Sequence, residues 1–216
     1  MLIAKFVGVV IVAYLLGSIP FGLIIGKLKK GVDIRQYGSG KTGATNLMRV
    51  AGTKFGLLAL ALDVVKGTAA VALATIIVPH SIGALSVPGM PLYFQHLAQV
   101  AAGLAALLGH NWPVFARFKG GRGVTAYFGT VFAIFAPAGI FGAEVLAIAA
   151  LRSRHMSLGS LLGASATLGL MLPLTVVYKL LPPIYLGYGA IAVGLIVYQH
   201  RDNIRRLREG TERRLW

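Results

Sequence analysis

Apolar positions dominate this chain and fall into long runs without a single charge. Phe6–Gly26 carries none over 21 residues, Met156–Tyr178 none over 23 and Leu180–Gln199 none over 20. Gly67–Ala116 contains no Asp, Glu, Lys or Arg at all. About 20 apolar residues in a helix cross the hydrocarbon core of a bilayer. The pattern therefore predicts an all-α integral membrane protein. The expected spans are Leu2–Gly26, Lys54–Val78, Tyr93–His110, Met156–Tyr178 and Pro183–Gln199, with Val124–Leu151 treated below.

Charge turns these spans into a topology. The 216 residues are 56% hydrophobic and 12% charged, with a mean hydropathy of +0.77 and a net charge of +15. Of 21 basic residues, seven lie in Lys27–Lys54, three in Arg117–Arg122, two in Arg152–Arg154 and six in Arg201–Arg214. The connections near Pro79–Pro91 and Pro182–Pro183 have almost none. The positive-inside rule puts all four clusters in the cytoplasm. The charge is then topological, and no nucleic-acid partner is expected. Two successive cytoplasmic clusters require Val124–Leu151 to go out and come back, with Pro137-Ala138-Gly139 as the turn. That gives seven transmembrane helices, N-terminus outside and C-terminus cytoplasmic, in one domain spanning 1–216. A six-span version with one long helix at Val124–Leu151 would strand a basic cluster outside. The first apolar run is too long for a secretory signal and leads straight into Lys27, Lys29 and Lys30, so it reads as a retained span. There is no cysteine, which excludes thiolate nucleophiles and thiolate metal sites.

The polar residues gather at three stations on the cytoplasmic side. The first is Gly38-Ser39-Gly40-Lys41-Thr42-Gly43-Ala44-Thr45-Asn46. It looks like a nucleotide-binding loop, but GxxxxGK[ST] would need glycine at position 35, which is Arg35, and no apolar strand precedes it. The chemistry survives the loss of the label. Gly38, Gly40 and Gly43 let backbone N–H groups converge on an anion, and the start of a helix over Ala44–Gly52 adds a positive dipole end. Thr45, Asn46 and Arg49 share one face of that helix. Ser39 adds a hydroxyl, and Arg35, Lys41 and Arg49 add charge. A phosphate-bearing ligand fits; a plain glycine turn is the alternative.

The second station runs from Gly109-His110-Asn111-Trp112-Pro113 to Lys119-Gly120-Gly121-Arg122-Gly123, with a helix start at Val124. It repeats the logic of flexible backbone and two cations, with lipid-headgroup binding as its alternative. The third is His200-Arg201-Asp202-Asn203, where His200 and Asn203 stand three apart on a helix face. A histidine titrates near working pH, so His200 is able to orient or deprotonate a hydroxyl. Ser157 and Ser160 open the next-to-last span on the same side. Asp63 and Lys66, inside the second span, share a helix face and neutralise each other. His80 and His96 fall outside and His155 beside arginines; no spacing among the five histidines suggests a metal site.

Gly17-Ser18-Ile19-Pro20-Phe21-Gly22, Asp33 to Arg49, Leu62-Asp63-Val64-Val65-Lys66-Gly67, Gly109 to Val124 and His200 to Glu212, in this order, resemble the PlsY family of bacterial acyl-phosphate:glycerol-3-phosphate acyltransferases. The resemblance implies a seven-helix enzyme of the bacterial inner membrane with its active site on the cytoplasmic side. Such an enzyme moves an acyl chain from acyl phosphate to the 1-hydroxyl of glycerol 3-phosphate, giving lysophosphatidic acid, the first acylation of phospholipid biosynthesis. It implies no metal, no cofactor and no use of acyl-CoA. It also implies membrane lipids as surroundings and an acyl-phosphate-producing enzyme as a functional partner. Carried onto matching positions, it puts Ser39, Ser160, His200 and Asn203 among the catalytic residues. Gly38, Gly40, Thr45, Asn46, Arg49, Lys119 and Arg122 fall on substrate-binding positions. Lys41 stands where the family usually has asparagine, and Arg122 where it usually has lysine; arginine keeps the charge and adds a fork. No histidine here is followed five residues later by aspartate, so the His-x4-Asp signature of the other acyltransferase class is absent. The competing reading is a transporter for an organic phosphate or anion, which predicts a midplane site between repeated halves.

Overall fold

The structure is a computed structural model and describes residues 2–78 and 91–215. His80 and most of the expected Pro/Gly-rich external connection lie outside the described residues. Within them there are helices, turns and no strand, as lipid demands of a chain that must satisfy every backbone group within its own segment. The helices are α1 (Leu2–Gly17), α2 (Phe21–Lys30), α3 (Ala44–Ala51), α4 (Thr53–Ile77), α5 (Pro91–Asn111), α6 (Val124–Ser153), α7 (Met156–Val176), α8 (Pro183–Gln199) and α9 (Arg201–Arg208). Among the described residues, four stretches are long and apolar enough to cross a bilayer: Leu2–Lys30 taken through its interruption, Thr53–Ile77, Val124–Ser153 and Met156–Val176. Pro183–Gln199 is a shorter apolar helix.

Two of these differ from the expected spans. The first is interrupted at residues 18–20, because Pro20 has no N–H to continue the ladder; α2 then runs on to Lys30 and ends on Gly31 in the left-handed conformation. In α6 the backbone leaves helical geometry at Phe135 (φ −156°, ψ 91°). The missing N–H of Pro137 deprives the Ala133 carbonyl of its partner, and the ring crowds that carbonyl. The break thus falls two residues before the Pro137-Ala138-Gly139 turn that the sequence suggests.

The chain forms two compact units, Met1–Ala133 and Ile134–Trp216. In the first, Val9 and Ala13 of α1, Ala70 and Ala74 of α4 and Ala98, Ala102, Ala105 and Ala106 of α5 make one buried cluster. Small residues allow close helix approach where lipid removes the usual hydrophobic drive. Gly67 of α4 lies against the Ala126 carbonyl of α6, where a Cβ would collide. A second cluster, Ile25, Ile34, Ala44, Leu47 and Ala59, lies under the first polar loop and fixes α2, α3 and α4 around it. In the second unit α7 packs on α8, and Gly159 and Gly163 of α7 sit against Leu146 and Ala150 of α6. Ile3, Leu57, Ile76, Ile148, Leu172 and Ile191 are exposed. In water such surface is a liability; in a bilayer it is the lipid-facing side.

Candidate active site

The loop between α2 and α3 is held from within. Asp33 caps a 3-10 turn over Ile34–Gln36 by accepting from the Arg35 backbone N–H at 3.0 Å. The Arg35 guanidinium donates to the same carboxylate from Nε at 3.0 Å and from Nη2 at 2.6 Å. These hydrogen bonds hold the Asp33 carboxyl below its ordinary range, against the opposing effect of burial. Arg35 Nη1 donates to the Ala116 carbonyl at 2.9 Å. Arg35, expected to offer its charge to a ligand, is therefore neutralised by Asp33 and spent on loop architecture.

Asn46, on α3, is buried beneath the loop. Its Oδ1 accepts from the Ser39 N–H at 2.8 Å, and its Nδ2 donates to the Ile34 carbonyl at 2.7 Å and the Lys41 carbonyl at 2.9 Å. Gly38 has φ +56° and passes so close to Asn46 Oδ1 that a Cβ would collide with it. The carboxamide thus shapes the Gly38–Lys41 bend. Ser39, Lys41 and Thr45 are half-buried, Arg49 is exposed, and Gly43 caps α3. The expected helix over Ala44–Gly52 is present as Ala44–Ala51.

The second loop leaves α5 at Asn111, makes a 3-10 turn over Val114–Ala116 and enters α6 at Val124. Tyr14 of α1 donates its hydroxyl to the Trp112 carbonyl at 2.9 Å. Gly121 N–H donates to the His110 carbonyl at 3.0 Å, folding the loop back on the end of α5. Thr42 N–H points to the Gly120 carbonyl at 3.5 Å. With the Arg35–Ala116 bond, this joins the first and second stations, some eighty residues apart in sequence. Lys119 is exposed and Arg122 half-buried.

The third station and the serines lie in the second unit. His200 ends α8 and caps α9, and is buried. Its Nδ1 is 2.8 Å from the Ile196 carbonyl. A carbonyl only accepts, so Nδ1 carries the proton in that bond and Nε2 is the basic nitrogen of the neutral ring. Asn203 donates Nδ2 to Glu212 Oε1 at 2.6 Å, while its buried Oδ1 has no hydrogen-bond partner among the described residues. Ser157 donates to the same Oε1 at 2.8 Å, and Arg206 Nε donates to Oε2 at 2.7 Å. Burial opposes ionisation of Glu212, but the hydrogen bonds from Asn203, Ser157 and Arg206 outweigh it and lower its pKa. Ser160 Oγ donates back to the Met156 carbonyl at 2.8 Å. Glu212 is the residue that the reading of spacing missed. Its signal in the sequence is weak: Glu212 is one of two carboxylates, with Glu209, among the arginines of Arg205–Arg214.

Apolar helices long enough for a bilayer, carrying two glycine-rich basic loops tied to each other, define a helical membrane protein built to handle phosphate groups. Comparison with known proteins makes this specific. A family profile described as glycerol-3-phosphate acyltransferase matches residues 7–210. Glycerol-3-phosphate acyltransferase 3 of Dehalococcoides mccartyi is 50% identical over 215 residues, covering 100% of this chain and 98% of that protein. The glycerol-3-phosphate acyltransferase of Aquifex aeolicus is 42% identical over 206 residues, covering 95% and 96%. A crystal structure of PlsY (YgiH), an integral membrane glycerol 3-phosphate acyltransferase, in its glycerol 3-phosphate form, is similar with a TM-score of 0.79 and 37% identity, covering 97% of this chain and 94% of that one. Its lysophosphatidic acid form matches with a TM-score of 0.77. The chain belongs to the glycerol-3-phosphate acyltransferase family, the PlsY family that its motifs resemble.

Proposed function

We propose that this membrane acyltransferase acylates glycerol 3-phosphate with acyl phosphate as donor, in one transmembrane domain of seven crossings. Its N-terminus is outside and its site faces the cytoplasm, at the inner membrane of a bacterial cell. Lysophosphatidic acid is the product; a PlsY structure in its lysophosphatidic acid form supports this. The observation that carries the reading is the joining of the two glycine-rich loops by the Arg35–Ala116 and Thr42–Gly120 hydrogen bonds. Two anionic substrates must be held close against their mutual repulsion, and two adjoining basic loops supply that.

In the proposed step the 1-hydroxyl oxygen attacks the acyl carbonyl carbon. The bond between that carbon and the bridging phosphate oxygen breaks, and inorganic phosphate leaves. The hydroxyl proton passes to His200 Nε2 or to a phosphate oxygen. The donor is already activated, so no acyl-enzyme is needed. Arg49, Lys119 and Arg122 offset the phosphate charges. Gly38 N–H, with the Ser39 and Thr45 side chains, binds the anion over the bend that Asn46 shapes; Gly40 N–H, expected to join them, instead donates to the Tyr37 carbonyl at 3.0 Å and holds the turn. Ser160 donates a hydrogen bond to the reacting groups, and Asn203 Oδ1, without a partner among the described residues, accepts one from a glycerol hydroxyl. The acyl tail occupies an apolar groove open to lipid. An acyl-phosphate-producing enzyme supplies the donor.

The test is purified protein with glycerol 3-phosphate and either acyl phosphate or acyl-CoA. Lysophosphatidic acid should form with acyl phosphate alone, with one inorganic phosphate released per product, and Arg49→Ala should lower the rate at least about 100-fold. Product from acyl-CoA alone would overturn the donor assignment. An acyl group trapped on Ser39 or Ser160 would overturn direct transfer.

A further inference from the structure

Among the described residues, the mechanism leaves unused a buried cluster of Asp63, Lys66 and His110. Lys66 Nζ and Asp63 Oδ1 of α4 are 2.8 Å apart, with 4% and 3% of the side chains exposed. His110, in the last turn of α5, brings Nδ1 to 3.6 Å from the same Asp63 oxygen and is equally buried. Ionisable residues in an apolar span are costly and mark function more often than stability. A buried ion pair is a poor source of stability, since apolar residues of similar volume often do as well.

The contacts of the cluster say what it serves. Lys66 Nζ also donates to the Ile19 carbonyl at 2.8 Å and stands 5.7 Å from the centre of the Phe21 ring. It thereby pins the interruption from which α2 and the first loop depart. His110 grips the second loop twice. Its carbonyl accepts from Gly121 N–H, and its ring edge at Nε2 lies so close to the Gly121 Cα that no Cβ would fit. Gly120 presses on the same carbonyl and presents its own carbonyl to Thr42. A continuous line of contacts runs from the charged pair through the imidazole to Gly121, Gly120 and Thr42. The Asp63–Lys66 pair is neutral overall, so it adds no net charge at the loops and acts through geometry alone.

We propose that Asp63, Lys66 and His110 are positioning residues: a strut that sets the backbone of Lys119–Gly123, and its junction with the first loop, in the shape that binds the substrate phosphate. This rests on the reading of those loops as the phosphate site.

The test uses the full-length protein in detergent, with thermal protection by glycerol 3-phosphate and by inorganic phosphate measured beside kinetics. The variants are His110→Ala, His110→Gln and the apolar pair Asp63→Leu/Lys66→Met. The apolar pair should melt at or above the wild-type temperature without ligand. It should need about 10-fold more glycerol 3-phosphate for half-maximal protection, with KM raised alike and kcat changed less than about 3-fold. His110→Gln should recover part of what His110→Ala loses. Folded variants that bind glycerol 3-phosphate as tightly as the wild type would overturn the strut. So would failure of every variant to fold, which would make the cluster fold core. Protection requires no turnover. A wild type that is protected but inactive would sink the acyl-transfer reading and leave the strut standing; one protected by neither anion would sink both.

Discussion

At the residue scale, the first loop owes its shape to one carboxamide. Asn46 Nδ2 faces two carbonyl oxygens, of Ile34 and Lys41, and its Oδ1 faces the Ser39 N–H. Asn46→Ala strips these partners and should cost about 1–3 kcal/mol. Asn46→Asp is expected to be worse despite its closer shape, because a carboxylate would confront two carbonyl oxygens with no proton to share. Thermal unfolding of the two variants checks the order; an aspartate variant as stable as wild type would mean that the staple is unimportant. Glu212 makes a prediction with a definite sign. Its native pKa lies below its ordinary value of 4.5. At higher pH it is ionised both folded and unfolded, and its hydrogen bonds contribute in full. As pH falls through 4.5 the unfolded chain takes up the proton first, and that stability drains away towards the lowered native pKa. Glu212→Gln should lose about 2 kcal/mol at neutral pH and show a flatter decline in melting temperature as pH falls through and below 4.5. Neither residue's partners were legible in the sequence. Both sets of bonds depend on a chain reversal, at Gly38 with φ +56° and in the tail after Gly210 with φ +69°. Spacing rules see neighbours on one helix and are blind across such turns.

At the element scale the apolar runs were a faithful guide to which segments are helical and a poor one to where they break. Uniform hydrophobicity marks burial in lipid but has no period, so Pro20 and Pro137 had to be read as local events. The first was absorbed into one expected span; the second was placed two residues late, because a proline's effect reaches back to the carbonyl four residues before it. Helix contacts were more legible: glycines in apolar spans imply close approach. Gly67 fits under the Ala126 carbonyl, whereas Gly8 of α1 has nothing within 4 Å of where a Cβ would stand. Gly67→Leu should destabilise the protein by about 1–3 kcal/mol, while Gly8→Leu should leave the melting temperature unchanged. Equal effects from the two would show that approach of α4 to α6 does not limit stability.

At the scale of the whole molecule, length and charge give opposite advice about α6. A helix rises about 1.5 Å per residue, so α6 as one piece is about 45 Å long and ample for a single crossing. Split at Phe135, its limbs are only about 16 and 27 Å, against a hydrocarbon core of about 30 Å. Length alone favours six crossings. Charge favours seven, since a single crossing at α6 would put Arg152 and Arg154, and later the six basic residues of Arg201–Arg214, on the outer face against the positive-inside rule, and these outweigh the lone Lys179, which would move inward. A basic tail on the outer face would cost the assignment more than a short limb does, because a short limb is relieved by tilt or by neighbours. The absence of cysteine in the sequence lets single cysteines decide. With an impermeant thiol reagent on intact cells, Ser86→Cys and Lys179→Cys should label, and Lys29→Cys, Arg117→Cys, Arg152→Cys and Arg208→Cys should not. Six crossings would leave Ser86, Lys29 and Arg117 unchanged and invert Arg152, Lys179 and Arg208 together. That inversion would move His200, at the junction of α8 and α9, to the outer face and overturn its proposed part in the reaction.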